Sequence, residues 1–164
     1  MNLDEEPLRH TGHLLRRAQQ LHLAVWLRDV SSETTSVQFA VLTVLDQRLR
    51  ASQRDLGRAL DVDRSTIADL VARMVRRGLI ERERDPDDRR RNVLQLTPTG
   101  REQLARLRPR VGAIEPTLTG GLSPHERAEL RRLLYQVLEH AAARETVPAH
   151  HAARSTRAAI ASAS

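Results

Sequence analysis

Residues 61–96 read DVDRSTIADLVARMVRRGLIERERDPDDRRRNVLQL. Ile67, Leu70, Val71 and Met74 fall at i, i+3, i+4 and i+7, the spacing that gathers four apolar side chains on one helix face. Asp63 stands where a helix cap is needed and Gly78 where a helix ends. Residues 79–84 and 92–96 then predict two short strands around the turn-rich loop Asp85-Pro86-Asp87-Asp88-Arg89-Arg90-Arg91. Upstream, Ser52 with Asp55 resembles a capping box and opens a short helix through Leu56 and Leu60. Asp61-Val62-Asp63 is the tight turn between the two helices. Two helices joined in this way and followed by a hairpin make a winged helix-turn-helix.

The helix after the turn is the candidate reader of DNA. With its apolar face inward, Arg64, Ser65, Thr66, Ala68, Asp69, Ala72, Arg73 and Arg76 are left outward. The N-terminal residues of such a helix reach base edges in the major groove. Ser65 and Thr66 suit bases or phosphates, and Arg73 suits guanine or phosphate. Asp69 has two readings: acceptor for a cytosine amino group, or holder of Arg73 one turn on. Arg89, Arg90 and Arg91 form the expected wing tip, suited to a narrow, electronegative minor groove. At least one of Asp87 and Asp88 is read as a brace for an arginine. Ser52 and Gln53, opening the preceding helix, complete the expected DNA-contacting set.

Helical patterns flank this module. Residues 7–29 carry Leu14, Ala18, Leu21 and Val25 at helical spacing, and a polar break follows at residues 31–34. Thr35 with Gln38 is a capping box opening a helix through Val41, Val44 and Leu45. Beyond the hairpin, Thr97-Pro98 starts a helix with Leu104, Leu107, Val111, Ile114 and Leu118, in which Pro109 predicts a kink. Ser123-Pro124-His125-Glu126 opens a last helix through Leu130, Leu133, Leu134, Val137, Leu138 and Ala141. The fold class is therefore mainly α with a small β-hairpin. The expected division is a helical dimerisation region at 1–32 and 99–145, a DNA-binding domain at 33–98, and a disordered tail at 146–164.

Composition narrows the function classes. Cysteine is absent, which removes disulfides, thiolate catalysis and cysteine-type zinc sites. All 27 basic residues are arginine and the net charge is +6. Arginine makes forked contacts with phosphate and guanine, though a GC-rich coding bias also favours it over lysine. No apolar run is long enough to span a membrane, and the acidic start (Asp4, Glu5, Glu6) is unlike a secretory signal, so a soluble, cytoplasmic protein is expected. His10 with His13, and His150 with His151, lack a third ligand at convincing spacing. No histidine or other base is placed to activate Ser65, and glycine-rich phosphate loops are absent. Neither a metal, a cofactor nor an enzymatic activity is expected.

The runs Asp55-Leu56-Gly57-Arg58-Ala59-Leu60, Arg64-Ser65-Thr66-Ile67, Arg77-Gly78-Leu79-Ile80-Glu81-Arg82, Asp85-Pro86-Asp87-Asp88-Arg89-Arg90 and Leu96-Thr97-Pro98-Thr99-Gly100 together resemble the MarR family of bacterial regulators. The Leu-Thr-x-x-Gly ending is the most specific part. The resemblance implies a homodimer built from the first and last two helices, a palindromic double-stranded operator, and usually repression. It also implies, for many members, release of DNA when a small phenolic or carboxylate effector binds between the dimer region and the reading lobes. The run Gly12-His13-Leu14-Leu15-Arg16-Arg17-Ala18-Gln19-Gln20-Leu21-His22 resembles members responsive to aromatic acids, in which a first-helix arginine meets the carboxylate. The expected effector set is Arg16 as anchor with Gln20, His22, Trp26 and Gln38. The other reading leaves the arginines solvated and His22 and Trp26 as packing residues. Two alternatives to a ligand-released repressor stay open: a sequence-tolerant architectural DNA binder, and a protein-docking module that reuses the winged helix.

Overall fold

The computed structural model describes residues 10–84 and 92–143. The elements run α1 (Thr11–Val25) with a π-helical turn (Trp26–Val30), α2 (Ser36–Arg48), α3 (Gln53–Leu60), α4 (Arg64–Arg76), β1 (Ile80–Arg84), β2 (Asn92–Leu96), α5 (Pro98–Ala113), α6 (Glu115–Thr119) and α7 (Pro124–Ala143). The wing tip at residues 85–91 and the tail lie outside the described residues, and the first helix, expected from Pro7, starts at Thr11 after an extended His10.

The helix starts form where the sequence signals place them. Thr35 and Gln38 make both bonds of a capping box, and so do Ser52 and Asp55. Asp63 caps α4, Thr97 caps α5, and Ser123 exchanges bonds with Glu126 at the start of α7. Each cap satisfies backbone N–H groups that have no partner inside the helix. Between α3 and α4, Asp61 takes the left-handed conformation (φ 49°), which aspartate tolerates better than most residues.

β1 and β2 pair antiparallel from Ile80 opposite Leu96 to Arg84 opposite Asn92. Ala51, between α2 and α3, adds a bridge to Leu94 that the sequence did not signal, with N–H···O distances of 3.1 and 2.8 Å. This bridge ties the start of α3 to the wing.

Two apolar clusters organise the chain. The larger joins α2, α3, α4, the hairpin and Leu104 of α5. Ile67, Leu70, Val71 and Met74 all belong to it, as the spacing predicts. The smaller gathers Val25, Trp26, Val30, Leu107 and Ile114. Phe39 packs against both.

Two expectations need correction. The first helix does not continue as a regular α-helix to Asp29; it widens into a π turn at Trp26, and Ser31 N donates to Trp26 O at 3.0 Å. The fifth helix does not run unbroken to Leu118: it contains Pro109 and ends at Ala113, with Ile114 leading into α6. Pro109 removes the N–H due to the Ala105 carbonyl, yet α5 continues through it. Pro116 has no N–H to offer Gly112 and lies in the first turn of α6, where a proline is tolerated.

Candidate nucleic-acid interface

The interface begins with the cap of α4. Asp63 Oδ1 accepts from the N–H groups of Ser65 and Thr66 at 2.9 and 3.0 Å. The Ser65 hydroxyl donates to Oδ1 at 2.5 Å and the Thr66 hydroxyl to Oδ2 at 2.6 Å. Those hydroxyls and N–H groups hold the Asp63 carboxyl well below the usual carboxylate range. Ser65 and Thr66 thus reach the helix surface with their hydroxyl protons already engaged, leaving lone pairs for any further partner. Ser65 is exposed and Thr66 half-buried.

Farther along α4, Arg64, Asp69, Arg73 and Arg76 are exposed. Asp69 and Arg73 make no bond with each other among the described residues. Arg64, Arg73 and Arg76 likewise have no partner within the described chain. Three guanidiniums held on a capped helix, without an ion pair among the described residues, form an anion-binding face. Ser52 and Gln53 sit half-buried at the start of α3. The Ser52 hydroxyl donates to Asp55 Oδ2 at 2.6 Å, so its proton is engaged as well.

The hairpin is anchored at both ends by residues the sequence marked as a helix end, a helix start and the Leu-Thr-x-x-Gly motif. Gly78 adopts φ +66° and turns the chain from α4 into β1. The Thr97 hydroxyl donates to Gly78 O at 2.6 Å while accepting from Gly100 N at 3.0 Å. A Cβ at Gly100 would stand 1.9 Å from Leu79 O. Glycine is therefore required for α5 to approach the strand entry, a physical basis for the Leu-Thr-x-x-Gly pattern. On β1, Arg82 points outward, Arg50 lies 4.0 Å from Glu83, and Gln95 donates to Glu81 at 3.0 Å. Arg89, Arg90 and Arg91 lie outside the described residues.

The expected effector residues fall into separate groups. Arg16 donates to Gln20 at 3.1 Å and lies 3.4 Å from His13 Nδ1, all on the surface of α1. His22 meets Trp26 with ring centroids 5.9 Å apart, and Trp26 meets Phe39 at 5.8 Å. Trp26 is 4% exposed and its indole N–H donates to Thr34 O at 2.7 Å. Gln38 is buried, and its side-chain oxygen accepts from Thr35 N and from Arg77. Ten residues separate Arg16 from Trp26, about 15 Å of helix rise.

Capped helices, a short turn, an unneutralised reading face and a bridged hairpin define a winged helix-turn-helix of the DNA-binding class. The profile of the MarR family matches residues 34–91. The transcriptional repressor NicR of Pseudomonas putida is 34% identical over 78% of this chain and 82% of its own. The transcriptional regulator PcaV of Streptomyces coelicolor, solved with its natural ligand, superposes with a TM-score of 0.78 at 40% identity, covering 86% of this chain and 97% of PcaV. Bordetella bronchiseptica BpsR, whose DNA binding is regulated by 6-hydroxynicotinic acid, superposes at 0.75 with 35% identity over 79% of this chain and 93% of BpsR. The chain belongs to the MarR family of winged helix-turn-helix transcriptional regulators. No helix among the described residues is long and apolar enough to cross a membrane.

Proposed function

We propose that this protein is a homodimeric repressor that holds a palindromic operator and releases it when a small aromatic carboxylate or phenol binds. The observation that carries the DNA reading is the exposed Arg64, Arg73 and Arg76 face of α4, which has no partner among the described residues. Such a face gains most from a polyanion whose counterions are released on contact. Ser52, Gln53, Ser65, Thr66 and Asp69 are the neighbouring contacts, and Arg89, Arg90 and Arg91, outside the described residues, complete the proposed set.

Dimerisation is supported by apolar side chains that one protomer leaves uncovered. Leu14, Leu15, Leu21, Leu23 and Leu27 on α1 are exposed, as are Leu130, Leu133, Leu134, Val137 and Leu138 on α7. α7 touches the rest of the described chain only sparsely. Patches of this size are uncommon on monomers, and a two-fold partner covers both at once. The two apolar clusters fit the division into a helical region (1–32 and 99–145) and a reading domain (33–98).

For the effector, Arg16 presents a fork to a carboxylate with Gln20 beside it, and His22, stacked near Trp26, helps to hold an aromatic ring. Trp26 serves as a packed wall and Gln38 as a buried support. BpsR, which responds to an aromatic acid, and PcaV, solved with its ligand, favour this reading over a ligand-independent binder.

The test is selection of duplexes from a randomised library by the full-length protein, followed by titration of the complex with 6-hydroxynicotinate and hydroxybenzoates. Enrichment of an inverted repeat and release by one of these acids are expected. Failure to retain any duplex at low salt would overturn the repressor reading. Release that persists unchanged in Arg16→Ala would remove Arg16 from the effector site.

A further inference from the structure

The segment between α1 and α2 is gripped from three sides. Trp26, in the π turn, donates its indole N–H to Thr34 O at 2.7 Å. Gln103 of α5 donates to the Thr34 hydroxyl at 2.9 Å. Arg77, at the end of the reading helix, donates to Glu33 O at 2.8 Å and to Gln38 Oε1 at 3.3 Å. Thr34 is fully buried and Gln38 nearly so, which makes their bonds costly to break without replacement. Arg110 adds a bond to Val30 O at 3.2 Å, fixing the far end of the same segment.

We propose that Arg77 is a positioning residue that imposes the state of the Ser31–Thr35 segment on the C-terminal end of α4. Trp26 and Gln103 hold one side of this short segment, and Arg77 holds the adjacent carbonyl. A displacement of the α1–α5 side therefore has a polar route to α4 through the Arg77 guanidinium, beside the apolar contacts of Leu104 and Phe39. Arg77 is also the residue that ends α4: its N–H donates to Arg73 O at 3.1 Å, just before Gly78 turns the chain into the hairpin. Pulling on its side chain re-aims the reading helix and the wing entry together. The purpose of this link rests on the regulator reading, but the link itself is a property of the chain and needs neither DNA nor effector to be seen.

The test is a double-mutant cycle read by hydrogen exchange on the full-length protein without ligand. The reporters are the amides of Arg77, Gly78 and Leu79, each hydrogen-bonded within the α4 terminus. The Leu94 amide, bonded to Ala51 O in the hairpin, reports global destabilisation. Gln103→Leu removes the bond to Thr34 with little change in bulk, and Trp26→Phe serves as a second probe of the same segment. Loss of one such bond is expected to speed exchange of the reporters about fivefold relative to Leu94. In an Arg77→Met background, which keeps the side-chain length and loses the donors, the same change should have almost no effect on them. Arg77→Lys, which retains a donor, should restore part of the coupling. Equal effects of Gln103→Leu in both backgrounds would overturn the proposal, since coupling through Arg77 requires non-additivity. Should the cycle show coupling while no duplex is retained, the link stands and the repressor reading fails.

Discussion

Gly100 has no room for a side chain, because its missing Cβ would stand 1.9 Å from Leu79 O. Gly100→Ala must push α5 away from the strand entry and is expected to cost about 3 kcal/mol, as overpacking of a tight contact does. Urea denaturation measures it, and a change below about 0.5 kcal/mol would show that the approach relaxes freely. Arg73 behaves oppositely. It supports nothing inside the described chain, so Arg73→Ala should leave urea stability unchanged while weakening operator binding about tenfold, in the range of one lost base or phosphate contact. Fluorescence anisotropy on the selected duplex checks this. The spacing of apolar residues already placed Arg73 outward. The need for glycine at position 100 was visible only as a resemblance until α5 was seen against Leu79.

At the scale of elements, the caps were the most legible feature. Ser52 with Asp55, Thr35 with Gln38 and Ser123 with Glu126 lie three residues apart, and every atom involved is local. The Asp63 cap has a consequence for pH. Its folded carboxyl is depressed by the Ser65 and Thr66 bonds, so the stability it contributes is fully present above the ordinary aspartate value of about 4. That contribution is lost as pH falls below this value toward the folded one. The stability difference between the wild type and Asp63→Asn should therefore be constant above about pH 5 and shrink toward pH 3, followed by circular dichroism in urea. A difference that grows as pH falls would contradict the assignment. Where the elements departed from expectation, the cause was non-local or involved competing signals. Trp26 is drawn into the smaller core beside Leu107 and Ile114, and the helix widens there. Pro109 stays within α5, and the chain breaks instead at Ile114, which is drawn into the smaller core.

For the whole molecule, the uncovered α1 and α7 faces carry the prediction. The double variant Leu133→Glu/Leu134→Glu should sediment as a monomer where the wild type sediments as a dimer. Its operator affinity should fall by about a hundredfold or more, because each half-site then binds alone. A wild-type protein that sediments as a monomer at micromolar concentration would refute the two-fold arrangement. The free arginines of two reading lobes also predict that affinity falls steeply and linearly with salt on logarithmic axes.

By itself the sequence determined the order of helices and strands, the buried face of α4, and the outward placement of its arginines. Those follow from helical periodicity and from caps whose partners lie within a few residues. Tertiary structure decided how the pieces are joined. Arg77 meets Glu33 across 44 positions, Gln103 meets Thr34 across 69, and Arg110 meets Val30 across 80. Such pairs carry no periodic signal, because they depend on where whole helices come to rest once their apolar faces are buried. The same burial spent the Trp26 indole N–H and the Gln38 side-chain oxygen on the protein itself, while leaving Arg16 at the surface.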